Sequence, residues 1–228
     1  MSVQSTEDRI HDLVRDLRPV RPIPPLRAAG AAVVGIFLLI VAGDWLLGGF
    51  SPRPGGDTAW SSPSYLAALF GLVLVAIGAT SAALASAVPG REGAVRLGVR
   101  AGALGLLVAV AGGLWGLARS DLQFSTQELA ACASCMSRSV QLGIASTVLA
   151  CAYIVHAAMR RPSAGAALAL IGGVALGAAA VHTTCPSDSA LHQLVAHTLA
   201  PLVAAALLTL PLAALLRRLW GRARESAR

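Results

Sequence analysis

From its N-terminus the chain runs through a polar stretch, six long apolar runs and a short basic tail. The apolar runs lie near Ala28–Phe50, Ser64–Val88, Ala94–Ala118, Ser139–Met159, Ala164–Val181 and Ala190–Leu216. Each approaches the ~20 residues that a helix needs to cross a hydrocarbon core. The fifth is the shortest, and its Ala and Gly content gives it the weakest signal. The pattern predicts an all-α polytopic membrane protein of six transmembrane helices arranged as three helical hairpins. Outer loops are expected at 51–63, 119–138 and 182–189.

The polar stretch has a period of its own. Ser5 or Thr6 can cap a helix, with Glu7 and Asp8 in its first turn. Ile10, Leu13, Val14 and Leu17 then recur at i, i+3, i+4 and i+7, one face of a helix, with Arg9, Asp12, Arg15 and Asp16 opposite. Pro19 ends that helix, and Pro22, Pro24 and Pro25 hold an extended linker. One short amphipathic helix has no core, so its stripe must bury against a partner, a membrane surface or the rest of the chain. Residues 1–27 are therefore read as a separate cytoplasmic segment, 28–216 as the membrane domain and 217–228 as a basic cytoplasmic tail.

Composition sharpens the class. Of 228 residues, 56% are hydrophobic and only 13% charged, with a mean hydropathy of +0.69, against about a quarter charged in soluble domains. The net charge of +7 raises the question of nucleic acid. The basic residues, however, sit at helix ends with no stacking aromatics between them, so direct nucleic-acid binding is not expected. Arginines crowd the N-terminal segment (Arg9, Arg15, Arg18, Arg21, Arg27), the turns at Arg91/Arg96 and Arg160/Arg161, and the tail. The other three loops hold only Arg53, Arg119 and Arg138. By the positive-inside rule both termini are cytoplasmic. Trp45, Trp60 and Trp115 then fall at the outer interface and Trp220 at the inner one. The first apolar run follows a long polar stretch without a small-residue cleavage site, so it reads as a span rather than a secretory signal. Gly98/Gly102, Gly112/Gly116 and Gly173/Gly177 are small-xxx-small pairs suited to close helix packing.

Chemistry-bearing residues are few and gather on the outer side. Cys132 and Cys135 form a C-x-x-C in the loop between the third and fourth spans. His182 and Cys185 lie in the loop between the fifth and sixth, and His192 and His197 open the sixth span. Asp188 precedes His192 by four residues and shares its face if the helix starts early. Four cysteines are too few for a disulfide scaffold of this length. Three readings stay open for the outer set Cys132, Cys135, Cys185, His182, His192 and His197: a structural disulfide, a redox switch, or a metal site of thiolates and imidazoles for copper, zinc or cadmium. Cys151, in mid-span, reads as a small buried hydrophobe, and His156 as a packed or interfacial histidine. Asp44 lies inside the first span near its outer end, where a carboxylate is either functional and paired or simply interfacial. No nucleophile–base pattern, phosphate loop or carboxylate pair is present, so an enzyme is not expected. Two other classes are a quinone-linked membrane thiol oxidoreductase and a haem or metal carrier using His156, His182 and His197. The first needs a second cysteine pair, and the second needs histidines facing each other across helices. Neither accounts for the amphipathic N-terminus.

Two stretches together resemble the NrsF family of bacterial membrane anti-sigma factors. Asp16-Leu17-Arg18-Pro19-Val20-Arg21-Pro22 with Pro24-Pro25-Leu26 is similar to that family's N-terminal signature. Cys185-Pro186-Ser187-Asp188-Ser189-Ala190-Leu191-His192, with His197 beyond it, is similar to its periplasmic signature before the last helix. The resemblance implies that the N-terminal segment holds an extracytoplasmic-function sigma factor at the membrane. It also implies that outer cysteines sense heavy metal or oxidative stress and thereby release it. Carried over, the sigma-binding residues are Asp16, Leu17, Pro19 and Val20, with Leu13 of the same stripe. The sensing residues are one of Cys132 and Cys135 together with Cys185, with His192 and His197 as co-ligands.

Overall fold

The computed structural model describes residues 24–47, 60–120, 126–156 and 162–225, with Glu7 and Val14. The partner-binding residues expected above, Leu13, Asp16, Leu17, Pro19 and Val20, lie outside the described residues.

The chain forms helices α1 (Leu26–Leu46), α2 (Pro63–Ser86), α3 (Glu92–Leu117), α4 (Thr126–Val155) and α5 (Pro162–Thr184). The last span comes in three joined pieces. These are a single turn, α6 (Ala190–His192), a π-helical stretch (Gln193–Leu199) and α7 (Ala200–Glu225). Among the described residues six helical segments are long and apolar enough to cross a membrane, the last running Ala190–Leu219. Helix starts follow local rules. Pro63 opens α2 at a position whose N–H would be unused. Ser189 caps α6 by accepting a hydrogen bond from the His192 N–H at 3.3 Å. The tight turn between α2 and α3 needs a left-handed residue, and Gly90 supplies it at φ +79°.

Two boundaries differ from the hydropathy reading. The fourth helix begins at Thr126, not near Ser139, so Cys132, Cys135 and Arg138 are helical rather than in an outer loop of 119–138. The fifth runs to Thr184, so His182 is also helical and the following loop is only 185–189. Apolar content marks what lipid can solvate, whereas helical hydrogen bonding is a backbone property that continues through turns carrying Thr, Gln, Glu and Ser.

Small residues set the packing. Helices α2 and α3 pair antiparallel, and a Cβ built on Gly105 would lie 2.6 Å from the Val75 backbone nitrogen and 2.7 Å from the Gly71 carbonyl oxygen. Gly98 meets Gly78 in the same way, with a built Cβ 2.6 Å from its carbonyl oxygen. Helix α5 is the most enclosed span, and its mean hydropathy exceeds that of α3 and of α4, so it is not the weakest span that its Ala and Gly content suggested. Its glycines let two neighbours approach: Gly172 lies against Thr80 of α2, and Gly173 and Gly177 against Gly143, Thr147 and Ser139 of α4. Contacts of this kind are what hold helices together where the surroundings are as apolar as the side chains. The outward face is apolar, with Leu38, Leu39, Phe70, Ile77, Leu107, Leu207 and Leu210 exposed.

The C-terminal ends of α1, α3 and α5 share one end of this bundle, along with Trp45, Trp60 and Trp115. At the other end Ala29, Ala83, Ile154, Ala166 and Leu216 form the largest buried cluster, and Cys151 sits among them as a small hydrophobe. There the Tyr153 hydroxyl donates to the Pro24 carbonyl at 3.1 Å, tying the start of α1 to α4.

Candidate thiol and imidazole centre

Three segments meet at the tryptophan-bearing end. The first turns of α4 bring Cys132 and Cys135. The residue just after α5 is Cys185. The α6 turn and the π-helical stretch bring His192 and His197. Their approach follows from the α4–α5 packing, because Ser139, which lies against Gly177, is one turn from Cys135 and donates to its carbonyl at 2.9 Å.

One ligand atom each from Cys135, Cys185, His192 and His197 falls within 4.8 Å of all the others. Cys185 and both histidines are buried, and Cys135 is half-buried. The Cys135 and Cys185 sulfurs are 3.7 Å apart, and Cys185 Sγ is 3.4 Å from His192 Nε2. All the cysteines are free thiols. Of the pairings left open by the sequence, Cys135 is therefore the one that meets Cys185. Cys132 meets the opposite ring atom of His192, Nδ1, at 3.3 Å.

The donor set fits a thiophilic divalent ion. Bonds of about 2.3 Å to sulfur and about 2.0 Å to nitrogen, at tetrahedral angles, set sulfurs about 3.8 Å apart and sulfur and nitrogen about 3.5 Å apart. The separations of 3.7 and 3.4 Å already match. Two thiolates and two neutral imidazoles around a divalent cation also sum to zero charge, the condition a buried site tolerates best. The Cys185 thiol, in the loop, is held well below the usual thiol range. The main cause is its hydrogen bond from Cys135. The His192 and His197 imidazoles add to it, and burial opposes it. A thiolate at Cys185 is the species that binds metal or attacks an oxidant.

His182 was expected among the ligands, but it stands one step back. Its Nδ1 is 3.0 Å from Nδ1 of His197, which is itself one of the four converging donors. Its Nε2 is 3.4 Å from the Tyr65 carbonyl oxygen, its ring stacks on that of Tyr65 at 4.4 Å, and the Tyr65 hydroxyl donates to the His182 carbonyl at 3.1 Å. Sequence reading did not single out Tyr65, and no spacing signal points to it. The ring centroids of His182 and His197, 5.2 Å apart and edge to face, also leave no room for a haem iron between them, since two axial bonds of ~2 Å each set the ring centres of such a pair about 6 Å apart.

The remaining candidates separate cleanly. Asp188 stays out of the cluster, because Ser189 caps the helix and leaves Asp188 in the exposed loop. It lines a neighbouring cavity of about 310 Å³ with Arg119, Trp115 and Gln193. Asp44 pairs with Arg138, one turn beyond Cys135, and so links α1 to α4 at this end. Cys151 and His156 belong to the opposite end of the bundle, so Cys151 forms no second cysteine pair with the three thiols here.

The π-helical stretch aligns the two histidines. In an α-helix, residues five apart point about 140° away from each other. Hydrogen bonds from i to i+5 bring them one above the other. The His192 and His197 rings lie 5.3 Å apart, edge to face. Pro201 supplies a reason. It has no N–H for the His197 carbonyl four residues earlier, and its ring would clash with that carbonyl. This proline was the available sequence signal.

A family model described as negative regulator of sigma F, NrsF, matches residues 13–218. The chain belongs to the NrsF family. No curated protein and no solved structure matches it. The family match spans the helices that build the centre and also takes in residues 13–23, before α1. The family description is that of a regulator of a sigma factor, which accords with the resemblance carried by Asp16–Pro22 and Cys185–His192.

Proposed function

We propose that this NrsF-family chain is a membrane anti-sigma factor with a sensor at the far end of its bundle. Residues 1–27 hold an extracytoplasmic-function sigma factor on the cytoplasmic side through Leu13, Asp16, Leu17, Pro19 and Val20. The Cys135–Cys185–His192–His197 cluster faces the periplasm and responds to heavy metal or oxidant. The observation that carries this reading is that the four donors come from three different parts of the chain: α4, the loop after α5 and the start of the last span. Drawing them around one ion changes how α4, α5 and the last span pack. Oxidation of Cys135 and Cys185 to a disulfide, with two protons and two electrons passed to an external oxidant, does the same. Either event moves the cytoplasmic segment only if it favours one packing of the bundle over another. The Asp44–Arg138 pair gives a route, since α4 carries both Cys135 and Arg138, and α1 leads back to the N-terminal segment.

The test uses the full-length protein in its native membrane. A Leu17→Ala variant is expected to lose the sigma factor that co-purifies with wild type, because an apolar anchor is emptied. A Cys185→Ser variant is expected to keep the sigma factor but fail to release it under cadmium or peroxide. Full retention by Leu17→Ala would remove the N-terminal segment from the binding role, and normal induction in Cys185→Ser would remove the sensor assignment.

A further inference from the structure

Two side chains of the centre, Cys132 and His182, are not among the four converging donors, yet each touches the Nδ1 of one of the two histidines. We propose that Cys132 and His182 are positioning residues that turn His192 and His197 so that both present Nε2 to the ion. Cys132 is then not a ligand, although it shares a C-x-x-C with Cys135. This inference rests on reading the four-residue cluster as a metal centre.

The hydrogen bonds carry the assignment. The Tyr65 carbonyl can only accept, so His182 Nε2 carries the proton that it shares at 3.4 Å. In the uncharged ring, His182 Nδ1 is then an acceptor. His197 Nδ1, 3.0 Å away, must be the donor. A neutral His197 protonated at Nδ1 keeps its lone pair on Nε2, the form that binds metal. His192 repeats the arrangement on the other side. Its Nε2 faces Cys185 at 3.4 Å, while its Nδ1 faces Cys132 at 3.3 Å. With Nε2 on the ion, Nδ1–H donates to the Cys132 sulfur. Each ligand ring is thus held from behind, as histidine ligands in metal sites generally are. Burial fixes the geometry: His182, His192 and His197 are each no more than 1% exposed, and Cys132 5%. The Tyr65 ring stacked on His182 keeps the outer partner in its plane.

The thiol count separates a ligand from a positioning residue. The full-length protein in detergent is titrated with Co²⁺, whose thiolate charge-transfer band grows with each bound sulfur and whose visible bands report tetrahedral geometry. Wild type is expected to show a two-thiolate tetrahedral spectrum. Cys132→Ser is expected to keep that spectrum with about 10–100-fold weaker affinity. Cys185→Ser is expected to lose about half of the charge-transfer intensity. His182→Leu is expected to weaken binding and distort the visible bands. His182→Gln, whose amide can both donate to Tyr65 and accept from His197, is expected to restore them. Loss of charge-transfer intensity in Cys132→Ser would overturn the proposal while leaving the metal centre standing, as would wild-type affinity and bands in His182→Leu. A wild-type protein with no thiolate band would overturn the metal reading and this inference with it. Circular dichroism of each variant separates misfolding from lost binding. If Cys132→Ser does not fold, Cys132→Ala replaces it under the same criteria.

Discussion

Replacing Gly105 by alanine tests whether close backbone packing holds this bundle together. A Cβ there lies 2.6 Å from Val75 N, 2.7 Å from Gly71 O and 3.0 Å from Leu74 C. All three are backbone atoms, so no side chain can step aside, and α2 and α3 must part by about 0.8 Å to reach ordinary contact near 3.4 Å. A gap of ~0.5–1 Å forfeits about a quarter to a half of each dispersion well of ~0.1–0.2 kcal/mol. With on the order of 40 atom pairs around Gly71, Val75, Gly105 and Ala109, the loss is ~1.5–3 kcal/mol, in line with overpacking costs generally. In lipid no water-transfer term offsets it, and the separated helices stay helical, so alanine's better helix propensity adds little. Gly35→Ala is the control, because a Cβ at Gly35 meets nothing within 4 Å. Helix dissociation measured by steric trapping in bicelles is expected to place Gly105→Ala ~1.5–3 kcal/mol below Gly35→Ala. Values for the two variants within about 0.5 kcal/mol would refute the packing argument.

Two further outcomes are expected from single changes. Pro201→Ala returns an N–H to the His197 carbonyl and lets the α-helical ladder run through, turning His192 and His197 about 140° apart. Co²⁺ affinity should fall while the far-UV circular dichroism stays helical, and unchanged affinity would show that the π-helical stretch does not depend on this proline. Asp44→Asn cuts the link between α1 and α4 at the centre's end. The two side chains are 22% and 37% exposed, so the pair is worth only about 0.2–1 kcal/mol and the melting temperature should barely move. Induction under cadmium should nevertheless drop while the sigma factor stays bound, and full induction would take α1 out of the signal route.

Much of the architecture was readable from one dimension. The six apolar runs are six helices in the structure because span length and apolarity are properties of a segment, independent of its neighbours. Gly98 and Gly173 could be picked out as close-packing positions because only glycine lets backbones meet. The concentration of Cys132, Cys135, His182, Cys185, His192 and His197 at one end followed from span parity alone, since alternate loops of a helical bundle share an end. The tertiary structure decided the rest. Hydropathy could not start α4 at Thr126, because Thr126, Gln127, Glu128, Ser134, Ser137 and Arg138 lower the apolar average of the turns that carry Cys132 and Cys135. Nor could it mark α5 as the most enclosed span, because enclosure depends on the close approach that Gly172, Gly173 and Gly177 allow to α2 and α4. Which thiol meets Cys185 depends on how far α4 slides along α5, and the contact of Ser139 with Gly177 sets that register. The division between Cys135 and His197 as donors and Cys132 and His182 behind them rests on ring orientations. Those follow from the turn geometry before Pro201 and from the Tyr65 backbone of another helix, neither of which residue spacing encodes.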